Sequence, residues 1–183
     1  MSRIKRITPI GEAYFPAIQK PDTQFDSQGI YQIKVFYDKA EIQEEIKAIN
    51  AVIAKEVAEQ HKITPNKTEA FKRAPLPYKD MDDGRIQITF KSKFKPLVLD
   101  KKSNAIPEGT EVWSGSKVRV EYELQGYNNV VGLGCKLYLK GVQVSELVEG
   151  SATGTGLTPL EDKPGVAVWV KKKINLENIK SKF

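Results

Sequence analysis

"GIYQIKVFYDKAEIQEEIKAINAVIAKEVAEQ", residues 29–60, changes period halfway along. Over 29–38 the side chains alternate. Tyr31, Ile33, Val35 and Tyr37 fall on one side, and Gln32, Lys34 and Phe36 on the other. A two-residue period of this kind describes a strand with one buried face. From residue 39 the period becomes helical: Ile42, Ile46, Ile49, Ile53 and Val57 make one apolar stripe. Asp38 and Glu41 have the spacing of a capping box with Asp38 as N-cap. Acidic residues fill the early turns, as the helix dipole favours. A helix over 39–60 is therefore expected to pack its stripe on a sheet or to plug the sheet's open end.

Outside that helix the patterning is β. "RIQITFKSKF" (85–94) directs Ile86, Ile88 and Phe90 inward. Phe94 has the same parity and is expected in the core unless Pro96 bends the strand. "KVRVEYEL" (117–124) buries Val118, Val120, Tyr122 and Leu124. "LGCKLYLKGVQV" (133–144) buries Leu133, Cys135, Leu137 and Leu139. Weaker strands are expected near 4–15, broken by Pro9, and at 166–170. The segments 61–84, 100–110 and 125–132 read as connections, with "DDGR" (82–85) a turn signal. Short strands, Gly/Pro turns and one inserted helix suggest a small barrel or sandwich. The oligonucleotide-binding (OB) fold fits: a mainly β, five-stranded, partly open Greek-key barrel with one helix. The pattern leaves other β-barrels open. The expected division is a domain over 1–148, a flexible Gly/Ser/Thr/Pro-rich linker over 149–165, and an extra strand with a basic tail over 166–183.

Composition narrows the function classes. The 183 residues carry a formal charge of +6 and are 40% hydrophobic, enough for one sizeable core. A basic balance makes polyanions the first partners to test. A single cysteine, Cys135, and a single histidine, His61, leave too few ligands for a Cys/His zinc site. Cys135 has inward parity and reads as a small core hydrophobe, and His61 as a solvated side chain at the helix end. "MSRIKRITPI" at the start has no apolar run of the kind a signal peptide needs. No run approaches the roughly 20 apolar residues of a membrane span. "GLGCKL" (132–137) and "WSGSKV" (113–118) lack the full spacing of nucleotide-binding loops. "DMDDG" (80–84) lacks that of a calcium loop. No acid, base and nucleophile come together, so neither enzymatic activity nor a cofactor is expected, and a reducing, soluble compartment is.

One feature recurs on the polar faces of three strands: lysines beside aromatics. Lys34 neighbours Phe36. Lys91, Lys93 and Lys95 alternate through "ITFKSKFKP" (88–96), around Phe94. Lys136 and Lys140 flank Tyr138. Aligned like charges repel, although lysines on a strand also discourage edge-to-edge pairing. Single-stranded nucleic acid would use both residue types, because phosphates take ammonium groups and bases stack on rings. Duplex DNA fits less well, since its bases are already stacked and no recognition helix is evident.

The ordered set "GEAYFPAI" (11–18), "GIYQIKVFYDK" (29–39), a helix, "FKSKFKPLVLD" (90–100), "VWSGSKVRVEYELQGY" (112–127) and "GLGCKLYLKGVQVSEL" (132–147) resembles phage-encoded single-stranded DNA-binding proteins of replication. The resemblance spans roughly residues 10–148. It implies an OB-fold protein of the bacterial host cytoplasm that coats and protects single-stranded DNA in replication, recombination and repair. Phage replication proteins and a homodimer are possible further partners on that reading, and a membrane is not. The Lys-Ser-Lys run carries Lys91 and Lys93 over as DNA contacts. Lys34, Phe36, Lys95, Lys136, Tyr138 and Lys140 come from strand parity. The end, "VKKKINLENIKSKF" (170–183), departs from the acidic tail that such proteins commonly carry. An RNA-binding OB module, or an adaptor β-domain meeting an acidic protein, are the alternatives.

Overall fold

Alternating sequence becomes strand almost wherever it occurs. The computed structural model describes residues 3–148 apart from 25, 67–69 and 108. The expected linker 149–165, strand 166–170 and basic tail lie outside the described residues. In chain order the elements are β1 (Ile4–Ile7), β2 (Gly11–Asp22), β3 (Ile30–Asp38), α1 (Gln43–Ile63), β4 (Tyr78–Asp80), β5 (Arg85–Ser92), β6 (Leu97–Leu99), β7 (Lys117–Asn129) and β8 (Gly132–Glu146).

Five of the strands, β7, β2, β3, β5 and β8, pair in a circuit that returns to β7. Neighbours run antiparallel except β5 and β8, which run parallel. Two seams are thin. β2 meets β7 at Gly11–Val118 and Glu12–Lys117, and β5 meets β8 at Lys91–Tyr138. The sheet is therefore partly closed rather than a regular barrel. β1, β4 and β6 extend it on β7, β5 and β8.

Local boundaries depart from the sequence reading where pairing overrides propensity. Asp38 does not cap the helix. It remains the last residue of β3, paired with Arg85, and its carbonyl accepts from the N–H groups of Glu41 and Ile42. The helix starts four residues later, with Ile42 at the N-cap position and no side-chain cap. The link at 125–132 shrinks to Val130 and Val131, because β7 stays paired to Asn129 and β8 starts at Gly132. Gly132 has φ +133, and a Cβ there would come within 2.7 Å of the Lys72 carbonyl oxygen. Only glycine lets residues 72–74 lie against the hairpin, where Leu133 exchanges backbone hydrogen bonds with Lys72 and Ala74. The connection after α1 thus contains a strap and β4. His61 sets its ring edge-on to Phe71, 4.6 Å away.

The expected core residues are buried. Ile33, Val35, Ile86, Ile88, Phe90, Val118, Val120, Tyr122, Leu124, Leu137 and Leu139 pack with Ile42, Ile49 and Ile53 of α1. Each such side chain contributes about 1.5–3 kcal/mol on burial. The helix also has a polar anchor. Buried Glu45 accepts two hydrogen bonds from Arg6, at 2.7 and 2.8 Å, and a third from the Tyr122 hydroxyl. Burial, and then the Glu45 hydrogen bond, push the Tyr122 phenol above its ordinary range. The same carboxylate raises the Arg6 guanidinium. Among the described residues no helix is long and apolar enough to cross a membrane.

Candidate nucleic-acid interface

The thin β5–β8 seam is where most of the candidate residues meet. Lys91 and Tyr138 are register partners across it, so both point from the outer face. β5 ends at Ser92, whose hydroxyl accepts the Phe94 N–H, and the chain turns there. Phe94 is consequently 83% exposed instead of buried. Inward parity fails for it because parity holds only while the strand continues. Lys95 likewise leaves the strand. It is exposed but does not line the cleft that holds Lys91 and Lys93. One strand face bearing all three lysines is thus corrected to Lys91 on the strand, with Lys93 and Lys95 beyond its end.

That cleft encloses about 700 Å³. Its floor is β8, with Cys135, Leu137 and Tyr138. Its walls are the Lys91–Phe94 turn on one side and Pro75–Pro77, following the strap, on another. Arg3, Lys91, Lys93, Lys136 and Lys140 face it, against one carboxylate, Glu123. Glu123 already pairs with Arg3 at 3.1 Å and lies 3.7 Å from Lys140. Lys140 is the extra residue of a β-bulge opposite Glu121 and Tyr122, which re-aims its side chain. Among the described residues, no carboxylate reaches ion-pair distance of Lys34, Lys91, Lys93 or Lys136. The lysines that sequence alone left without a folding reason are also left without a counter-charge.

The aromatics divide. Tyr138 is half-buried, and the Arg3 guanidinium lies over one face of its ring, 4.7 Å from the centre. Tyr127 stands on the cleft wall with Lys136 Nζ 5.6 Å from its ring. Burial raises the Tyr127 phenol and pushes the Cys135 thiol up to about 12, which keeps both neutral at ordinary pH. Phe36 is the clear correction. It has outward parity but is 8% exposed, beneath Arg85 at 4.4 Å and beside Tyr14 at 5.1 Å. Lys34 sits one strand from the cleft, paired with Thr89, which lines it.

The structure thus brings together Lys91, Lys93, Lys136, Tyr138 and Lys140, places Lys34 beside them, and leaves Lys95 and Phe36 apart. Arg3, Thr89 and Tyr127 join the site unforeseen, and Phe94 joins it instead of the core. Pro96 was the available signal for Phe94. Nothing local marks Arg3, which arrives because β1 pairs with β7. The assembly can hold an extended polyanion with flat groups.

Residues 12–164 match the family model described as "Enterobacter phage Enc34, ssDNA-binding protein". No curated protein matches the chain. Among solved structures, gp2.5, a single-stranded DNA-binding protein encoded by bacteriophage T7, aligns at 24% identity. That alignment covers 91% of this chain and 100% of that one, with a TM-score of 0.67. The single-stranded DNA-binding protein from bacteriophage Enc34 in complex with ssDNA aligns at 21% identity, covering 79% and 88%, with a TM-score of 0.58. At such identities the structural likeness establishes the fold.

Proposed function

The chain belongs to the Enc34 ssDNA-binding protein family, and from that premise we propose that it binds single-stranded DNA, largely without regard to sequence. Phosphates lie along Lys91, Lys93, Lys136 and Lys140, with Lys34 beside them, and bases stack on Phe94 and Tyr138. The observation that carries this reading is Lys91, Lys93 and Lys136, without ion-pair partners among the described residues, around one cleft with exposed Phe94 at its rim. Coating of this kind protects exposed strands during phage replication, recombination and repair in the host cytoplasm. It is a binding function and consumes no cofactor. Residues 1–148 form the binding domain, and the lysine-rich 171–183 adds phosphate contacts. Phage replication proteins and a second copy of the chain are further partners.

Poly-dT titrations followed by tryptophan fluorescence at several salt concentrations test the mechanism. Lys91→Ala with Lys93→Ala weakens binding to every sequence about equally. It also lowers the slope of log K against log salt by about 0.7 per lysine. Truncation after 170 lowers the slope further. A loss restricted to one base sequence argues for base readout instead. Tighter binding of matched RNA assigns the cleft to RNA, through the 2′-OH. No binding at low salt leaves an acidic protein as the partner.

A further inference from the structure

The Ser114–Ser116 turn and Phe15 belong to no part of the cleft, yet the fold spends strain on them. Phe15 lies at a bulge in β2 with φ +44, in the left-handed region that a bulky side chain avoids. Its N–H donates to the Ser114 hydroxyl at 2.9 Å. Gly115, at φ +93, donates its N–H to the Ala13 carbonyl, and Ser116 accepts from the Ala13 N–H. Three hydrogen bonds from one turn thus hold the backbone on the N-terminal side of the bulge. The product is a phenylalanine 66% exposed, edge-on to Tyr14 with ring centres 4.4 Å apart. Strain that surrounding bonds enforce, ending in a solvent-facing aromatic, is characteristic of a binding station.

Its position ties it to the cleft. Tyr14 is the register partner of Lys34, and Lys34 of Thr89, so the three share the outer face in a row across β2, β3 and β5. Thr89 already lines the cleft. With strands about 4.8 Å apart, Tyr14 stands roughly 10 Å from the Thr89 edge. Lys34, without an ion-pair partner among the described residues, stands between them. We infer that Tyr14 and Phe15 form a second stacking station for the same DNA strand, which leaves the cleft past Lys34 and crosses β3 to reach it. This rests on the cleft being the single-stranded DNA site, and names where the strand goes next.

A ladder of dT oligomers of increasing length tests it, with Phe15→Gly, since glycine takes φ +44 without strain. Wild-type affinity should rise in a second step once the oligomer is long enough to pass Lys34. Phe15→Gly should remove that step, weakening long oligomers about tenfold while short ones stay within twofold. Its melting temperature should be unchanged or higher. Equal loss on short and long oligomers, an intact second step, or a lowered melting temperature each overturns the inference. Lys91→Ala with Lys93→Ala should weaken both lengths. A wild-type chain that binds no oligomer overturns the cleft reading itself, and this inference with it.

Discussion

Phe36 and Phe94 exchange the places that their parities assign. Phe36 points to the outer face but lies under Arg85, which Asp83 and Glu12 hold in position at 2.7 and 3.7 Å. Phe94 points inward by count and reaches solvent, because β5 stops two residues earlier. The two rings should therefore respond oppositely to truncation. Phe94→Ala should weaken poly-dT binding by about 1–3 kcal/mol with the salt slope unchanged, since stacking releases few ions. Its stability should move by no more than about 0.5 kcal/mol. Phe36→Ala should cost about 3 kcal/mol in urea unfolding, by removing a buried ring. Affinity for short dT oligomers, which reach only the cleft, should hardly change at temperatures where the variant is folded.

At the scale of elements, the helix is set by its apolar stripe and located by Glu45. Ile42, Ile49 and Ile53 fit many sheets, being unspecific grease. Glu45 fits one position, where Arg6 of β1 and Tyr122 of β7 converge. Glu45→Gln leaves the Arg6 guanidinium without its charge partner, and an uncompensated buried charge typically costs about 3–5 kcal/mol. Partial exposure of Arg6 places the expected loss near the lower figure. Urea denaturation of the variant, alone and combined with Arg6→Met, measures it. The double variant should recover part of the loss. The element boundaries that differ from the sequence reading share a cause, strand pairing: Asp38 stays paired with Arg85 of β5, and Gln125 and Asn129 stay paired with Lys136 and Gly132 across the β7–β8 hairpin.

Across the whole molecule, two charge effects oppose. The chain carries a formal charge of +6, and Lys91, Lys93 and Lys136, without ion-pair partners among the described residues, line the proposed binding cleft, so affinity should fall steeply with salt. The core holds groups that resist ionisation. Burial raises the Cys135 thiol to about 12 and also raises the Tyr37 and Tyr122 phenols. In the unfolded chain these groups lose protons from roughly pH 8.5 for the thiol and about pH 10 for the phenols. Raised folded values mean the stability they confer is complete below those pH values and declines above them, because unfolding then releases protons. The melting temperature should hold to about pH 8.5 and fall progressively beyond it. Cys135→Ala should flatten the first part of that fall. A melting temperature independent of pH up to 11 would contradict the burial of all three.

The sequence by itself determined the β class, the single helix, nearly every core position and the character of the partner. Those properties depend on local period and on charge, which a chain carries whether or not it is folded. Tertiary structure decided which candidates share a site. Lys91 and Tyr138 are 47 positions apart and meet because a parallel seam closes the sheet. Arg3 covers Tyr138 because β1 adds to β7, and Phe15 is displayed because a turn a hundred residues away holds its backbone. Periodicity states which side of a strand a residue faces. What lies over that side depends on contacts between distant segments, and only the folded chain brings those together.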